Sequence, residues 1–418
     1  MDIKITPSKL SGSVRAIASK PQAQRVFICA ALSDRPMEIA VYGVSGDTET
    51  VINCLRAMGT KIRQIKDGRW RVEPLFKKGG GKAFSGKPVL KCGESGAAFR
   101  FLLPVSAALF SAVDIESAGA SFFQPLEPVL SAMEKHGCSF SGETFPLSMQ
   151  KRLRGGDFAL PDHIDARFVS GLLFAAPLLK EDSRVILNTY LESEQYVDLT
   201  IDVMERFGVN VYENENGYQI PGKQTYCSPK EFRVEGDWGA GAAWFCAKTM
   251  GNEIKVDGLN NRSVQWERKI VKLLEDLGEG SVIDASRILD LVPVLAAAAA
   301  VSEGQTKIEN IGGLRTPESD RLKSTADMLA ALGAEIKEGE DSLTITGRPS
   351  LRGGTVNSCG DPQIVMAAAI ASSVCEGEVV IREAEAVKKF YPRFFKDFKY
   401  LGGVYKELTC NSQEPVGE

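Results

Sequence analysis

The stretch VINCLRAMGTKI, at residues 51–62, has the pattern of an amphipathic helix that closes in Leu-x-x-x-Gly and passes into a short β-like segment. Glycine just past a helix typically takes the left-handed conformation, in which a Cβ would clash. The pattern, or a near variant of it, recurs at five further places: 126–140, 197–211, 266–283, 322–336 and 394–405. Repetition of this kind predicts an architecture built from six copies of one unit.

A second series of helical segments alternates with the first and has a different composition. These segments are rich in Ala and apolar on every side, which is typical of helices buried within a protein. They lie at 25–32, 97–109, 168–179, 240–250, 289–301 and 363–374. Short strand-like runs separate the two series. We therefore predict an α/β (α+β) fold of βαβαβ-type repeats whose inner helices are buried and parallel.

The length of 418 residues exceeds what one hydrophobic core usually supports, so two domains of three repeats each are expected. A break is favoured near residue 236, where the fourth repeat begins, and the strand at 3–5 is expected to pair with the C-terminal half. The prediction is a discontinuous C-terminal domain, 1–13 plus 236–418, and an N-terminal domain, 14–235. The active site would lie in a cleft between them.

Composition excludes several classes of function. The net charge of −4 gives no reason to expect nucleic acid binding, and the longest strongly apolar run, 291–301, is too short to span a bilayer. The nine cysteines include no C-x-x-C pair and there are only two histidines, so no metal site or Ser-His-Asp arrangement is expected. We expect a cytoplasmic monomer without a cofactor or a membrane partner.

Charged residues stand where the N-terminal repeats enter buried helices. Lys20 and Arg25 flank a helix start, where cations and free backbone N–H groups favour an anion. Arg100 lies one turn inside an apolar helix, and a buried guanidinium needs an anionic partner, such as Glu94 or Asp47.

The C-terminal repeats carry carboxylates and further cations. Asp290 is embedded in an apolar run, which makes it either a helix cap or a functional base. Glu318 and Arg321 stand three residues apart, and Lys389 precedes the last helix. Cations at helix entrances together with two carboxylates suit a small polyanion and acid–base chemistry on it. The residues alone indicate no more than that.

At these segments the chain resembles the EPSP synthase family of enolpyruvyl transferases, nearly from end to end and with motif order kept. The resemblance implies two domains of three repeats. It also implies a reaction in which the 5-hydroxyl of shikimate 3-phosphate adds to C2 of phosphoenolpyruvate. A tetrahedral intermediate then loses phosphate, and neither a metal nor a cofactor takes part.

The resemblance also implies roles for individual residues. Asp290 would be the general base for the reacting hydroxyl, Glu318 would exchange a proton at the methylene carbon, and Lys20 would contact both substrates. The substrate-binding residues would be Arg25 for the acceptor carboxylate, Ser193 and Tyr196 for the acceptor, Gly96 and Arg100 at the phosphoenolpyruvate loop, Arg321 for the carboxylate of phosphoenolpyruvate and Lys389 for its phosphate. Three further positions, Gln124, Asp165 and Arg167, stand where the family binds substrate with other residue types.

Several positions depart from the family pattern: Pro21 for Ser, Gln124 for Arg, Asp165-Ala166-Arg167 for the Ser-Ser-Gln that grips the shikimate phosphate, Pro317 for Lys, and Pro362-Gln363 for His-Arg. A carboxylate at 165 would repel a phosphate dianion by about 4 kcal/mol per charge pair at 4 Å. Three hypotheses follow: transfer to shikimate 3-phosphate, transfer to or elimination from a non-phosphorylated shikimate-like acid, and a non-catalytic binding protein on the same scaffold.

Overall fold

The computed structural model describes residues 1–76, 86–117, 126–162, 164–189, 191, 193–316 and 319–408. The α-helices of this part of the chain are α1 Lys20–Leu32, α2 Gly46–Ala57, α3 Gly96–Leu109, α4 Glu127–Lys135, α5 Ala166–Ala175, α6 Gln195–Arg206, α7 Trp238–Thr249, α8 Ile270–Glu275, α9 Val292–Ala299, α10 Arg321–Ala331, α11 Pro362–Ala371 and α12 Phe394–Tyr400.

The strands of the same residues are β1 Asp2–Thr6, β2 Ser11–Arg15, β3 Met37–Ala40, β4 Lys61–Lys66, β5 Arg69–Glu73, β6 Val89–Gly93, β7 Ala112–Ser117, β8 Ser139–Phe140, β9 Leu147–Gln150, β10 Gly156–Leu160, β11 Ser183–Leu187, β12 Tyr212–Asn214, β13 Gly217–Ile220, β14 Glu231–Arg233, β15 Glu253–Asp257, β16 Ser281–Asp284, β17 Gln305–Glu309, β18 Glu335–Glu338, β19 Ser342–Thr346, β20 Gly354–Asn357, β21 Val379–Arg382 and β22 Val404–Leu408.

The chain divides into two compact units, Ala18–Glu235 and Met1–Ile17 with Gly236–Glu418. The first segment of the C-terminal unit extends to Ile17, beyond the expected edge at residue 13, because β2 continues to Arg15 and pairs in parallel with β15. The backbone N–H of Ala16 also donates to the carbonyl of Asp257 at 2.9 Å. These bonds hold residues 14–17 in the C-terminal unit. The first strand, β1, pairs antiparallel with β21 and β22, as predicted.

The sheets repeat one arrangement. The N-terminal unit contains the orders β14-β3-β5-β4, β6-β7-β9-β8 and β10-β11-β13-β12. The C-terminal unit contains β16-β17-β19-β18, β20-β21-β1-β22 and a two-stranded pair, β15-β2. In each four-stranded sheet a parallel pair is followed by antiparallel neighbours. Five of the six predicted copies therefore share this sheet arrangement, and the sixth has only the parallel pair β15-β2.

The Ala-rich helices form the interior of each unit, as their composition predicts. Every residue of α9 is buried, and so are almost all residues of α3, α5 and α11. Each unit has its own hydrophobic core. Helices α3 and α5 pack so closely that a Cβ on Gly171 would lie 2.2 Å from the carbonyl oxygen of Arg100. That contact places the N-terminal part of α3 directly against α5.

The amphipathic helices end as their closing glycines predict. All six of these glycines have positive φ angles, from 73° to 141°: Gly59, Gly137, Gly208, Gly278, Gly333 and Gly402. No helix among the described residues is long and apolar enough to cross a membrane. Charged side chains lie at the N-termini of buried helices, among them Lys20 at α1 and Asp165 at α5.

Candidate active site

Arg25 lies in the second turn of α1 and is almost completely enclosed, with 1% of its surface exposed. Its Nε donates to the hydroxyl of Thr200 at 2.7 Å, Nη1 to the carbonyl of Pro21 at 2.8 Å and Nη2 to the carbonyl of Tyr196 at 2.7 Å. The guanidinium also lies over the ring of Phe101, 5.0 Å from its centroid. Arg25 is thus fixed by α1, α3 and α6 together.

No carboxylate among the described residues forms an ion pair with Arg25. Burial lowers the pKa of its guanidinium from 12.5 to about 9, since only a phenol and a thiol nearby oppose that effect. Each terminal nitrogen uses one hydrogen within the protein, so a second hydrogen on Nη1 and on Nη2 remains for another acceptor. A buried cation of this kind is suited to an anion brought by a substrate.

Lys20 opens α1 and pairs with Asp47 in the first turn of α2, with 3.0 Å between Nζ and Oδ2. Both side chains are partly exposed, at 30% and 43%. Pro21 follows Lys20 within the first helical turn, where a backbone N–H has no partner inside the helix. Proline at this position therefore removes a donor without disturbing α1.

Asp165 is held between two arginines at the N-terminus of α5. Its carboxylate accepts from the backbone N–H of Arg167 at 2.8 Å, from Nε at 2.9 Å and from Nη2 at 2.5 Å. On the other side Nε of Arg100 lies 3.0 Å from Oδ2. Burial alone would raise the pKa of Asp165, but the charges and hydrogen bonds of Arg167 and Arg100 lower it below its ordinary value. We call these three residues the Arg-Asp-Arg triad.

The triad corrects two expectations. The carboxylate that pairs with Arg100 is Asp165, and not Glu94 or Asp47 as the sequence suggested. The predicted repulsion between Asp165 and a phosphate dianion is offset, because two guanidinium groups leave the triad with a net charge of +1. The negative charge of Asp165 is therefore neutralised within the protein by Arg100 and Arg167.

Gly96 gives the triad the space that it occupies. A Cβ at this position would lie 2.7 Å from Nη1 of Arg100 and 3.3 Å from Nη1 of Arg167. The bare α-carbon thus allows both guanidinium groups to approach the start of α3. Nη1 of Arg100 also makes a long hydrogen bond, 3.4 Å, to the carbonyl of Gly96.

In the C-terminal unit, Arg321 opens α10 and joins two carboxylates. Its Nη1 donates to Asp290 at 2.6 Å and its Nε to Asp361 at 2.5 Å. Asp361 caps α11 by accepting from the backbone N–H of Gln363 at 2.7 Å and is 12% exposed, whereas Asp290 is 52% exposed. The sequence left open whether Asp290 was a cap or a base. It lies in a 3-10 turn before α9, caps no helix and presents its carboxylate to solvent.

The other predicted residues are less closely grouped. Lys389 is exposed and forms no ion pair with the described residues, so its ammonium is accessible. Ser193 is exposed with a φ of 61°, and its carbonyl accepts from the N–H of Tyr196, which starts the turn leading into α6. Gln124 and Glu318 lie outside the described residues. Among the residues described, no group of three His, Cys, Asp or Glu side chains could hold a metal ion.

Glu267 is a titratable residue that sequence reasoning missed. Burial raises the pKa of its carboxyl to about 7, with further contributions from the charges of Asp237 and Asp290. Its Cγ lies 3.7 Å from the position of a Cβ on Gly239, at the start of α7. In the sequence Glu267 looks like a surface residue of an amphipathic helix, so no local signal distinguishes it. Asp361, by contrast, precedes Pro362 and a buried helix, which is a recognisable cap signal.

Comparisons with known proteins agree with this arrangement of repeats. The sequence profile of the EPSP synthase (3-phosphoshikimate 1-carboxyvinyltransferase) family matches residues 5–398. A 3-phosphoshikimate 1-carboxyvinyltransferase of Clostridium perfringens is 38% identical, with 96% of this chain and 98% of that protein aligned. The enzyme of Clostridium kluyveri is also 38% identical, over 97% and 99% of the two chains.

This chain belongs to the EPSP synthase family. It is accordingly a transferase. The fold agrees as well, since the EPSP synthase of Acinetobacter baumannii superimposes with a TM-score of 0.85 at 20% identity, covering 97% of this chain and all of that one. The Arg-Asp-Arg triad at the N-terminus of α5 and the cluster of Arg321 with Asp290 and Asp361 are the two charged groups on which the proposed chemistry depends.

Proposed function

We propose that this chain transfers the 1-carboxyvinyl group of phosphoenolpyruvate to a hydroxyl of shikimate 3-phosphate and releases phosphate. The acceptor oxygen forms a bond to C2 of phosphoenolpyruvate while its proton passes to a base and the methylene carbon gains a proton. The bond between C2 and the phosphate oxygen then breaks, and the methyl carbon loses a proton to restore the double bond. The names of the relatives supply the acceptor, 3-phosphoshikimate, and the transferred 1-carboxyvinyl group.

The observation that carries the proposal is the buried guanidinium of Arg25, which has no carboxylate partner among the described residues. A shikimate-type acceptor brings a carboxylate, and a guanidinium binds a carboxylate through two parallel hydrogen bonds. The free hydrogens on Nη1 and Nη2 supply these donors, while the bonds to Thr200 and Tyr196 hold the fork still. The ring of Tyr196, 5.9 Å from the guanidinium carbon, adds an apolar wall.

Acid–base chemistry is assigned to Asp290 and Lys20. Asp290 is exposed and ion-paired with Arg321, an arrangement that orients a carboxylate to accept a proton from a hydroxyl. Lys20 can leave Asp47 for a substrate oxygen, because the pair is half-exposed and such pairs are weak. Arg321 and Lys389 then bind the carboxylate and the phosphate of phosphoenolpyruvate. Glu318 is proposed as the residue that exchanges the proton at the methylene carbon.

A second acceptor, a shikimate-type acid without a phosphate group, is favoured by one specific observation. The carboxylate of Asp165 already accepts the backbone N–H of Arg167, in the first turn of α5, and the side-chain donors of two arginines. A helix N-terminus with two arginines is a suitable place for a phosphate. In this chain the carboxylate of Asp165 occupies the position at the N-terminus of α5 where such a phosphate would bind.

The test is turnover with defined substrates. Phosphoenolpyruvate is incubated with shikimate 3-phosphate and, separately, with shikimate, and both phosphate release and the enolpyruvyl ether are measured, the latter by mass spectrometry. Ether formation with the phosphorylated acceptor at the higher kcat/KM supports the first proposal. A higher kcat/KM with shikimate supports the second. Phosphate release without an ether, or no reaction with either acceptor, contradicts transfer.

A further inference from the structure

The donors that surround Asp165 are those that usually bind a phosphate group. One backbone N–H at a helix N-terminus and three side-chain N–H groups converge on this one carboxylate, all within 3.1 Å. The side chains of Asp165 and Arg100 are 9% and 4% exposed, so the pairing is shielded from solvent. A shielded ion pair is screened little by salt and persists in solution.

Arg167 is the member of the triad that is accessible to solvent. The side chain of Arg167 is 44% exposed, and its Nη1 makes no hydrogen bond among the described residues. The triad carries a net charge of +1, and Arg167 is the member whose charge is accessible to solvent. An anion can therefore reach Nη1, but the stronger donors face Asp165.

From this geometry we infer that Asp165 determines the acceptor preference by occupying, with its own carboxylate, the donors that a phosphate monoester needs. The inference rests on the proposed transfer reaction and selects, of the two acceptors, the one without a phosphate group. A phosphorylated acceptor must either displace Asp165 or bind beside it. Displacement leaves a buried carboxylate without its partners, and binding beside it leaves the phosphate only the exposed Nη1 of Arg167 as a donor within the triad. An acceptor that carries a hydroxyl where shikimate 3-phosphate carries its phosphate meets neither obstacle.

The first test measures anion binding without requiring turnover. Inorganic phosphate is titrated calorimetrically into the wild-type chain, Asp165→Asn and the control Asp157→Asn, which removes a carboxylate from an exposed ion pair with Arg184. Asparagine caps a helix as well as aspartate does, so the start of α5 is kept. We expect at least tenfold tighter binding in Asp165→Asn and unchanged binding in Asp157→Asn. Equal affinities in all three proteins would overturn the inference.

The second test uses the reaction. The ratio of kcat/KM for shikimate 3-phosphate to that for shikimate is expected to rise at least tenfold in Asp165→Asn, mainly through a lower KM for the phosphorylated acceptor. A ratio that stays the same or falls contradicts the inference. If neither acceptor reacts with the wild-type chain, the proposed function fails, and the phosphate titration still decides whether Asp165 occupies an anion subsite.

A second variant guards against misfolding of Asp165→Asn. Arg167→Gln removes the exposed cation and leaves the buried pair between Asp165 and Arg100 in place. With Asp165 still occupying the remaining donors, this variant is expected to bind inorganic phosphate no more tightly than the wild-type chain. Tighter binding would show that Asp165 does not withhold those donors from an anion, and the inference would be wrong.

Discussion

Nη1 of Arg321 donates a hydrogen bond to the carboxylate of Asp290 over 2.6 Å, so the predicted cation for phosphoenolpyruvate and the predicted general base are bound to each other. Asp361 binds Nε of the same guanidinium at 2.5 Å. Two carboxylates thus face one arginine, and the cluster has a net charge of −1. The carboxylate of phosphoenolpyruvate must compete with Asp290, which is the more exposed of the two partners.

This competition makes Asp290→Asn an informative variant. Because the amide cannot accept the proton of the hydroxyl, kcat should fall by roughly 100- to 10,000-fold. Because one competing negative charge is removed from Arg321, phosphoenolpyruvate should bind at least as tightly as before. Phosphate release gives kcat, and calorimetry gives the dissociation constant. Asp327→Asn, in the exposed pair with Lys323, is the control and should change neither quantity. Retention of kcat would exclude Asp290 as the base.

Replacement of Arg25 should separate stability from binding. Lowering the pKa of a guanidinium from 12.5 to about 9 corresponds to a burial cost of about 5 kcal/mol. Three hydrogen bonds from a charged donor, at about 1.5–3 kcal/mol each, are of the same size as that cost and nearly cancel it. Arg25→Met, which keeps an unbranched apolar chain, should therefore leave Tm nearly unchanged.

The same variant should bind the acceptor about 100-fold more weakly, because charged hydrogen bonds to a carboxylate are worth about 3 kcal/mol together. Calorimetric titration of the acceptor measures the loss. Arg25→Lys, which keeps the charge without the planar fork, should recover only part of the affinity. Wild-type affinity in Arg25→Met would rule out this guanidinium as the carboxylate site.

Glu267 should impose a pH dependence on stability. Its carboxyl has a pKa of about 7 in the folded chain, chiefly because of burial, against an ordinary value of 4.5. The folded state therefore disfavours the ionised form, and stability falls as the pH rises from about 4.5 to about 7. Glu267→Gln should raise the free energy of unfolding at pH 8 by up to about 3 kcal/mol, with no difference below pH 4.5.

Denaturant unfolding at several pH values measures that difference. Glu275→Gln, at an exposed position in α8, is the matched control and should follow the wild-type profile. If the free energy of unfolding of Glu267→Gln depends on pH in the same way as that of the wild-type chain, the carboxyl of Glu267 is not buried in solution.

The local features of the fold could be predicted from the sequence, but the long-range contacts could not. Periodicity and the closing glycines are local patterns, and they predicted both helix series and the repeat number. The first segment of the C-terminal unit extends beyond the expected edge at residue 13, because β2 pairs with β15, which lies far along the chain. Asp165 was taken as an uncompensated charge for the same reason. Nothing in its neighbourhood indicates that α3 brings Arg100 to within 3.0 Å.

Gly96 offers a steric test of the triad. Its φ is not positive, so alanine is acceptable to the backbone and the only obstacle is the space that the guanidinium groups occupy. Since Arg100 is 4% exposed and cannot turn to solvent, a Cβ 2.7 Å from its Nη1 must push it away from Asp165. Overpacking of this kind costs about 1–3 kcal/mol, and Gly96→Ala should lose that much stability.

Gly46→Ala is the matched control for this steric effect, because it too begins a helix and a Cβ there would meet nothing within 4 Å. It should be neutral or slightly stabilising, since alanine favours a helix over glycine. In a double-mutant cycle with Arg167→Gln, the loss caused by Gly96→Ala should shrink, because only one guanidinium then competes for the space beside residue 96. Strictly additive losses would mean that Gly96 and Arg167 are not in contact, and that the triad is not assembled in solution as described.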